Sequence, residues 1–242
     1  MLAVVLIIAI GSIQNPSAFA QFGDILKGVE KALKGRELSE GKIIQGLKEV
    51  LQIGTSNAVE MASRENGYYQ NPKIKIPLPG AVRKVEKLLR AVGYGPKVDA
   101  FELSMNRAAE RAAPEAKSIF FEAVTQMTFS DARKILKGPD NAATLYFKDK
   151  THDRLYEIFK PITHKAMSEV GVTRTYQELD AKVRTLPFAG SLSFELDRYV
   201  TNGALDGLFF MLAEEERKIR QDPAARVTDL LKEVFGSASR GK

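Results

Sequence analysis

Apolar residues recur every three to four positions over most of the chain, the spacing of helices that bury one face. Phe22, Ile25, Leu26, Val29 and Leu33 follow it and predict a helix over 22–33, stopped by Gly35. Ser39 is placed to cap a longer helix carrying Ile43, Ile44, Leu47, Val50, Leu51, Ala58, Val59 and Ala62, ending near Asn66-Gly67. A helix from Gly80 to Val92 is closed by Gly93, and another starts after Pro96. That second helix holds Ala108, Ala109, Ala112, Ala113 and Ala116, whose small side chains let a neighbour approach closely, and Pro114 should kink or restart it.

Farther along, Ser130 reads as the cap of a short helix from Asp131 to Lys137 that Gly138-Pro139 ends. Ala143, Phe147, Leu155, Ile158, Phe159, Ile162 and Ala166 predict a long helix reaching Gly171, and Thr175 with Glu178 matches a capping box. The last long helix runs from Phe194 to Gln221. Asp222-Pro223 and a short apolar helix with Leu230, Leu231, Val234 and Phe235 follow.

Two stretches depart from this periodicity. Lys73-Ile74-Lys75-Ile76 alternates and runs into Pro77 and Pro79, which predicts an extended crossing segment, at most a single edge strand, because proline cannot donate to a ladder. Ile119-Phe120-Phe121 and Leu208 to Leu212 are unbroken apolar runs that cover most of a helical turn, so both helices should lie at the centre. Core packing explains the runs; the alternative is a lining for a hydrophobic ligand. The pattern as a whole predicts an all-α protein, a single-domain multi-helix bundle with one short extended segment near 72–78.

The N-terminus has a different logic. An apolar run from Leu2 to Ile10, a polar break from Gly11 to Ser17, and Ala18-Phe19-Ala20 form the order that a signal peptidase reads, although no Lys or Arg precedes the run. Residues 1–20 are therefore expected to be a signal peptide cleaved near Ala20, and 21–242 a single helical domain that is periplasmic or secreted. The run is shorter than the roughly 20 residues a span needs, and no later segment approaches that length, so an integral membrane protein is not expected. Cysteine is absent, which excludes disulfides, thiol catalysis and zinc-thiolate sites.

Charge is concentrated. The chain has 36 Lys and Arg against 30 Asp and Glu, a net +6. Between Asn71 and Val98 lie Lys73, Lys75, Arg83, Lys84, Lys87, Arg90 and Lys97 against Glu86 alone, 7 minus 1, so this stretch equals the whole excess. On the helix within it, Val82, Val85, Leu88, Leu89 and Val92 form one face and Arg83, Lys84, Lys87 and Arg90 the others. Such a basic amphipathic helix suits anionic lipid or an acidic envelope protein; the plainer reading is a core-facing helix with a solvated outer side. Nucleic acid is not expected, because no aromatic residues interleave the cations as a stacking platform requires.

Candidate chemistry is sparse. His152 and His164 are the only histidines. Asp149, His152 and Asp153 could meet one metal from adjacent turns, but the set lacks a further ligand and reads as a polar patch. A hydrolase or metal-dependent enzyme would need a polar cleft that collects His152, Asp153 and Glu157 with residues of another helix. Glu214 with Lys218 and Glu216 with Arg220 read as surface i,i+4 pairs. No phosphate loop, nucleophile elbow or zinc-protease helix occurs, and nothing implies a cofactor or catalytic residue. Asn106, Arg107, Glu110 and Arg111 form the most polar cluster inside an apolar stretch. Arg107 and Arg111 share a face there, and Glu110 can pair with Arg107 or a neighbouring helix.

Five motifs in order carry a resemblance: Asn71-Pro72-Lys73-Ile74-Lys75-Ile76-Pro77-Leu78-Pro79, Met105 to Glu110, Met127 to Ala132, Ala142 to Phe147, and Tyr199-Val200-Thr201 with Ala204 to Phe209. Through them the chain resembles a bacterial envelope family catalogued as domain of unknown function 4197. The resemblance implies a secreted or periplasmic, mostly helical protein and brings no reaction and no site residues. Some members look like lipoproteins, and this chain departs from them in lacking a lipidation cysteine. The expected function is an envelope binding or accessory protein that engages an acidic component through Lys73 to Lys97 or an acyl chain between apolar helices; a protein-interaction scaffold is the alternative.

Overall fold

The computed structural model describes residues 40–169, 171–185 and 195–221, and all of these beyond Lys42 lie in one compact unit. The leader, Ser39, the helix expected over 22–33 and the segment after Gln221 lie outside the described residues. The helices are α1 (Glu40–Ser63), α2 (Gly80–Ala91), α3 (Gly95–Ala112), α4 (Ala116–Gln126), α5 (Phe129–Lys137), α6 (Ala142–Glu169), α7 (Val172–Arg184) and α8 (Leu196–Gln221). A 3₁₀ turn over Ala113–Glu115 joins α3 to α4, so Pro114 restarts the helix as expected. The described part of the fold is all-α.

The centre is made by α3, α6 and α8, each packed on the other two. Ala108, Ala109, Ala112, Ala113 and Ala116 are all fully buried, and their missing bulk is what allows the close packing. Phe120 of α4 meets Phe147 of α6 at 5.3 Å and Phe209 of α8 at 6.0 Å between ring centroids, both edge to face. The apolar runs are thus core, but not all round: Phe121 is only half-buried and Phe210 is 37% exposed. A helix at the side of the bundle has only one neighbour-bearing face, and α4 is such a helix.

Residues 64–79 cross the bundle without forming a strand. The alternation holds, with Ile74, Ile76 and Leu78 buried and Lys73 exposed, but no neighbouring strand lies alongside among the described residues. Two glycines on α8 make room for the crossing. A Cβ on Gly203 would come within 3.0 Å of Ile76, and one on Gly207 within 2.5 Å of the Tyr68 ring.

Two caps differ from expectation. Thr128, not Ser130, caps α5: its hydroxyl accepts the Asp131 N–H at 3.2 Å, while Asp131 accepts the Thr128 N–H at 3.1 Å, a reciprocal box. Helix α7 starts at Val172 after Gly171 in the left-handed conformation (φ 75°), so Thr175 lies inside the helix and Thr175–Glu178 is not a capping box. Glu178 pairs instead with Lys97 and Arg174.

Candidate functional site

The polar cluster on α3 fastens the crossing segment. Asn106, fully buried, accepts the Ile76 N–H through Oδ1 at 2.8 Å and donates from Nδ2 to the Ile76 carbonyl at 2.9 Å and the Glu102 carbonyl at 2.8 Å. One turn on, Glu110 accepts the Tyr68 and Tyr69 N–H groups at 3.0 and 3.3 Å and the Arg107 guanidinium at 2.6 Å. Arg107 also donates to Glu65 at 3.0 Å and to Asn66 at 2.9 Å. Arg111 is not part of this set; it reaches Glu169 on α6 at 2.9 Å, at the surface. Tyr68 is buried, donates to the Ala204 carbonyl at 2.6 Å, and burial pushes its hydroxyl far above the ordinary tyrosine range, with the Glu110 charge adding to the effect. Asn106 and Glu110 spend their hydrogen bonds on the backbone of the crossing and of α3 and on Arg107, which in turn ties Glu65 and Asn66, so the cluster's chemistry is structural.

The basic stretch splits into two classes. Lys73 pairs with Glu214 at 2.8 Å, Lys75 with Glu102 at 2.7 Å, Arg90 with Glu86 and Asp99 at 2.9 and 2.6 Å, and Lys97 with Glu178. The hydrogen bond from Lys73 holds the Glu214 carboxyl below the usual range, and Arg90 does the same for Asp99. Arg83, Lys84 and Lys87 are exposed and make no ion pair with another described residue. The expected apolar face of α2 is also corrected: Val82 and Leu89 are fully buried, but Leu88 and Val92 are each 40% exposed. Among the described helices α2 packs mainly against α3 and α7, so its buried stripe is narrow, and two apolar side chains stand in solvent beside three cations.

His152, Asp153 and Glu157 come together in a polar cleft. With Tyr156 they line the α6 side of a space of about 820 Å³, and Glu195, Arg198, Asn202 and Asp206 line its α8 side. His152 Nδ1 lies 3.1 Å from Asp153, and its ring stacks on Phe209. His164 is elsewhere, 2.8 Å from Asp197. Asp149 pairs with Lys150 at 3.4 Å and does not line this cleft. Among the described residues no three His, Cys, Asp or Glu side chains converge as a metal site.

Of the two i,i+4 pairs expected near the end of α8, Glu216 with Arg220 forms but is buried, whereas Lys218 pairs with Glu215 in place of Glu214. Glu214 pairs with Lys73 and Arg217, and Glu215 with Lys218 at 2.5 Å and with Asn57 at 3.2 Å. Glu216 is 7% exposed and caps α6 from outside, accepting Ala143 N–H at 2.9 Å, Thr144 N–H at 2.8 Å and the Thr144 hydroxyl at 2.8 Å. Arg220 closes on it at 2.8 Å and also donates to the Ile135 carbonyl at 2.8 Å.

The model of a family described as "Protein of unknown function (DUF4197)" matches residues 37–236. The chain belongs to the DUF4197 family. No curated protein and no solved structure matches it. The matched span of this DUF4197 chain takes in the clamp on α3, the cations of α2 and the cleft between α6 and α8. No helix among the described residues is long and apolar enough to cross a membrane.

In this DUF4197 protein the sequence reading missed the α8 side of the cleft. A signal for it exists: Arg198, Asn202 and Asp206 stand four residues apart, as do His152 and Tyr156, or Asp153 and Glu157, so each helix puts a polar row on one face. Those rows are easily passed over in helices whose other faces are strongly apolar.

Proposed function

We propose that this protein is an exported binding protein of the cell envelope that docks on anionic phospholipid through the outer side of α2. The observation that carries the reading is the contrast within one basic stretch. Four cations are tied to carboxylates, while Arg83, Lys84 and Lys87 have no such partner among the described residues and flank the exposed Leu88 and Val92. Each cation near an anionic surface contributes about 1 kcal/mol, so three supply about 3 kcal/mol, enough for a reversible, salt-sensitive association. Leu88 and Val92 add apolar area at the level of the headgroups. Export rests on the pattern of Met1 to Ala20.

Co-sedimentation with vesicles tests the docking. Phosphatidylglycerol-containing vesicles should retain the protein at low salt and release it at high salt, and pure phosphatidylcholine should not retain it. The R83E/K84E/K87E variant should bind at least about 100-fold more weakly, the equivalent of the three contributions. Equal binding by the variant, or none by the parent, rejects a lipid surface and leaves an acidic protein as the partner of this face. N-terminal sequencing of the native product should find Gln21 first; Met1 retained in a cytosolic fraction would reject export.

A further inference from the structure

Three clefts lie end to end along the outer side of α8. The central one, about 820 Å³, shares Tyr156, Glu195 and Arg198 with a cleft of about 540 Å³, and Asn202 and Asp206 with one of about 440 Å³. Common walls make them a single trough, each part within the roughly 300–1,000 Å³ typical of ligand sites. Aromatic rings stand along it in succession: Tyr176, Tyr156, Tyr199 and Phe210.

Neither sign of charge dominates its lining: five carboxylates, Asp153, Glu157, Glu195, Asp197 and Asp206, stand with four cations, Lys73, Lys75, Lys160 and Arg198. Asp153 lies against His152 at 3.1 Å, Asp197 against His164 at 2.8 Å, and Glu195 against Arg198 at 3.9 Å. Glu157, Asn202 and Asp206 make no hydrogen bond or ion pair with another described residue. All three line the central part, and no metal-type cluster forms there among the described residues. A polyanion would meet those five carboxylates, most of them in the central part and the part beside Tyr176. A polycation would meet three lysines and an arginine spread over the same lining. A trough with separate acceptors, one amide able both to donate and to accept, and flat rings at intervals matches a chain that alternates apolar C–H faces with hydroxyl donors.

We propose that the trough along α8 binds a neutral linear oligosaccharide, sugar rings stacking on Tyr156 and Tyr199 and hydroxyls donating to Glu157 and Asp206. This site is separate from the α2 face, so the vesicle experiment and the one below can fail independently.

Calorimetric titration of the full chain with chitohexaose and cellohexaose, and with spermine as the cationic rival, decides the point. One hexaose should bind saturably and more tightly than its trimer, and Tyr156→Ala and Asp206→Ala should each weaken it about tenfold with unchanged circular dichroism. Should either variant fail to fold, amide shifts of the parent protein must change at Asn202 and Asp206 on adding the hexaose. No heat or shift change with either hexaose up to about 10 mM overturns the proposal. So does spermine binding more tightly than both, or hexaose binding that the folded variants leave intact.

Discussion

Asn106 and Ile76 are joined as two strands of a sheet would be, by one accepted and one donated hydrogen bond at 2.8 and 2.9 Å, although one partner is a side chain on a helix. The carboxamide supplies donor and acceptor in the geometry of a peptide group, and so completes an extended segment that has no neighbouring strand among the described residues. Asn106→Ala should cost about 2–4 kcal/mol, since it leaves the buried Ile76 amide and carbonyl without partners. Urea unfolding of the purified variant measures it, and a loss below about 1 kcal/mol would mean that water replaces the side chain.

Glu216 and Arg220 should behave as a buried pair, not as the surface pair that their spacing suggests. Glu216→Ala strands a guanidinium that is only 10% exposed and uncaps α6, with an expected cost of about 3–5 kcal/mol. Thermal or chemical unfolding reads the loss. A cost under about 1 kcal/mol, the range of exposed pairs, would contradict the capping role.

Two glycines in helices should respond to alanine with opposite signs. At Gly207 a Cβ would sit 2.5 Å from the Tyr68 ring and 3.1 Å from Ile74, and the substitution should destabilise by about 1–3 kcal/mol. At Gly54 the nearest atom is the Ile219 methyl at 3.5 Å, an ordinary packing distance, so alanine should stabilise α1 by up to about 1 kcal/mol. Paired melting curves of the two variants test the contrast.

The cap of α5 gives a pH signature. The Thr128 hydroxyl, donating at 2.6 Å, and then its backbone amide hold the Asp131 carboxyl below the ordinary aspartate range. A carboxyl depressed by folding contributes stability that is complete above its unfolded pKa of about 3.9 and is lost as the pH falls through the lower folded value. The parent should therefore exceed D131N in urea midpoint at neutral pH, and the gap should close in acid. Thr128→Ala should lower stability by about 1 kcal/mol at neutral pH. A gap that persists below about pH 2 would rule out this linkage.

The periodicity of apolar residues located the helices of the described region, and the run of alanines on α3 marked the close packing at the centre. Those signals are local and repeat along the chain. What it could not reveal is where polar side chains end: Glu216 reaches an amide 72 positions away, and Asn106 reaches a backbone 30 away. Leu88 and Val92 stand exposed for a related reason. The width of an apolar stripe on a helical wheel fixes what could be buried, while the number of neighbouring helices fixes what is. For the cleft, the α6 half was visible as a row of polar residues, but its opposing wall depends on how α8 lies against α6.

Because side chains of a single helix, α3, grip both ends of the 64–79 crossing, its amides at Tyr68 and Ile76 share one gatekeeper. Hydrogen exchange at the two sites should then follow one common opening event, so that loosening Glu110 accelerates exchange at Ile76 as well as at Tyr68, and the crossing peels away as a unit without first dissolving the helices beneath it.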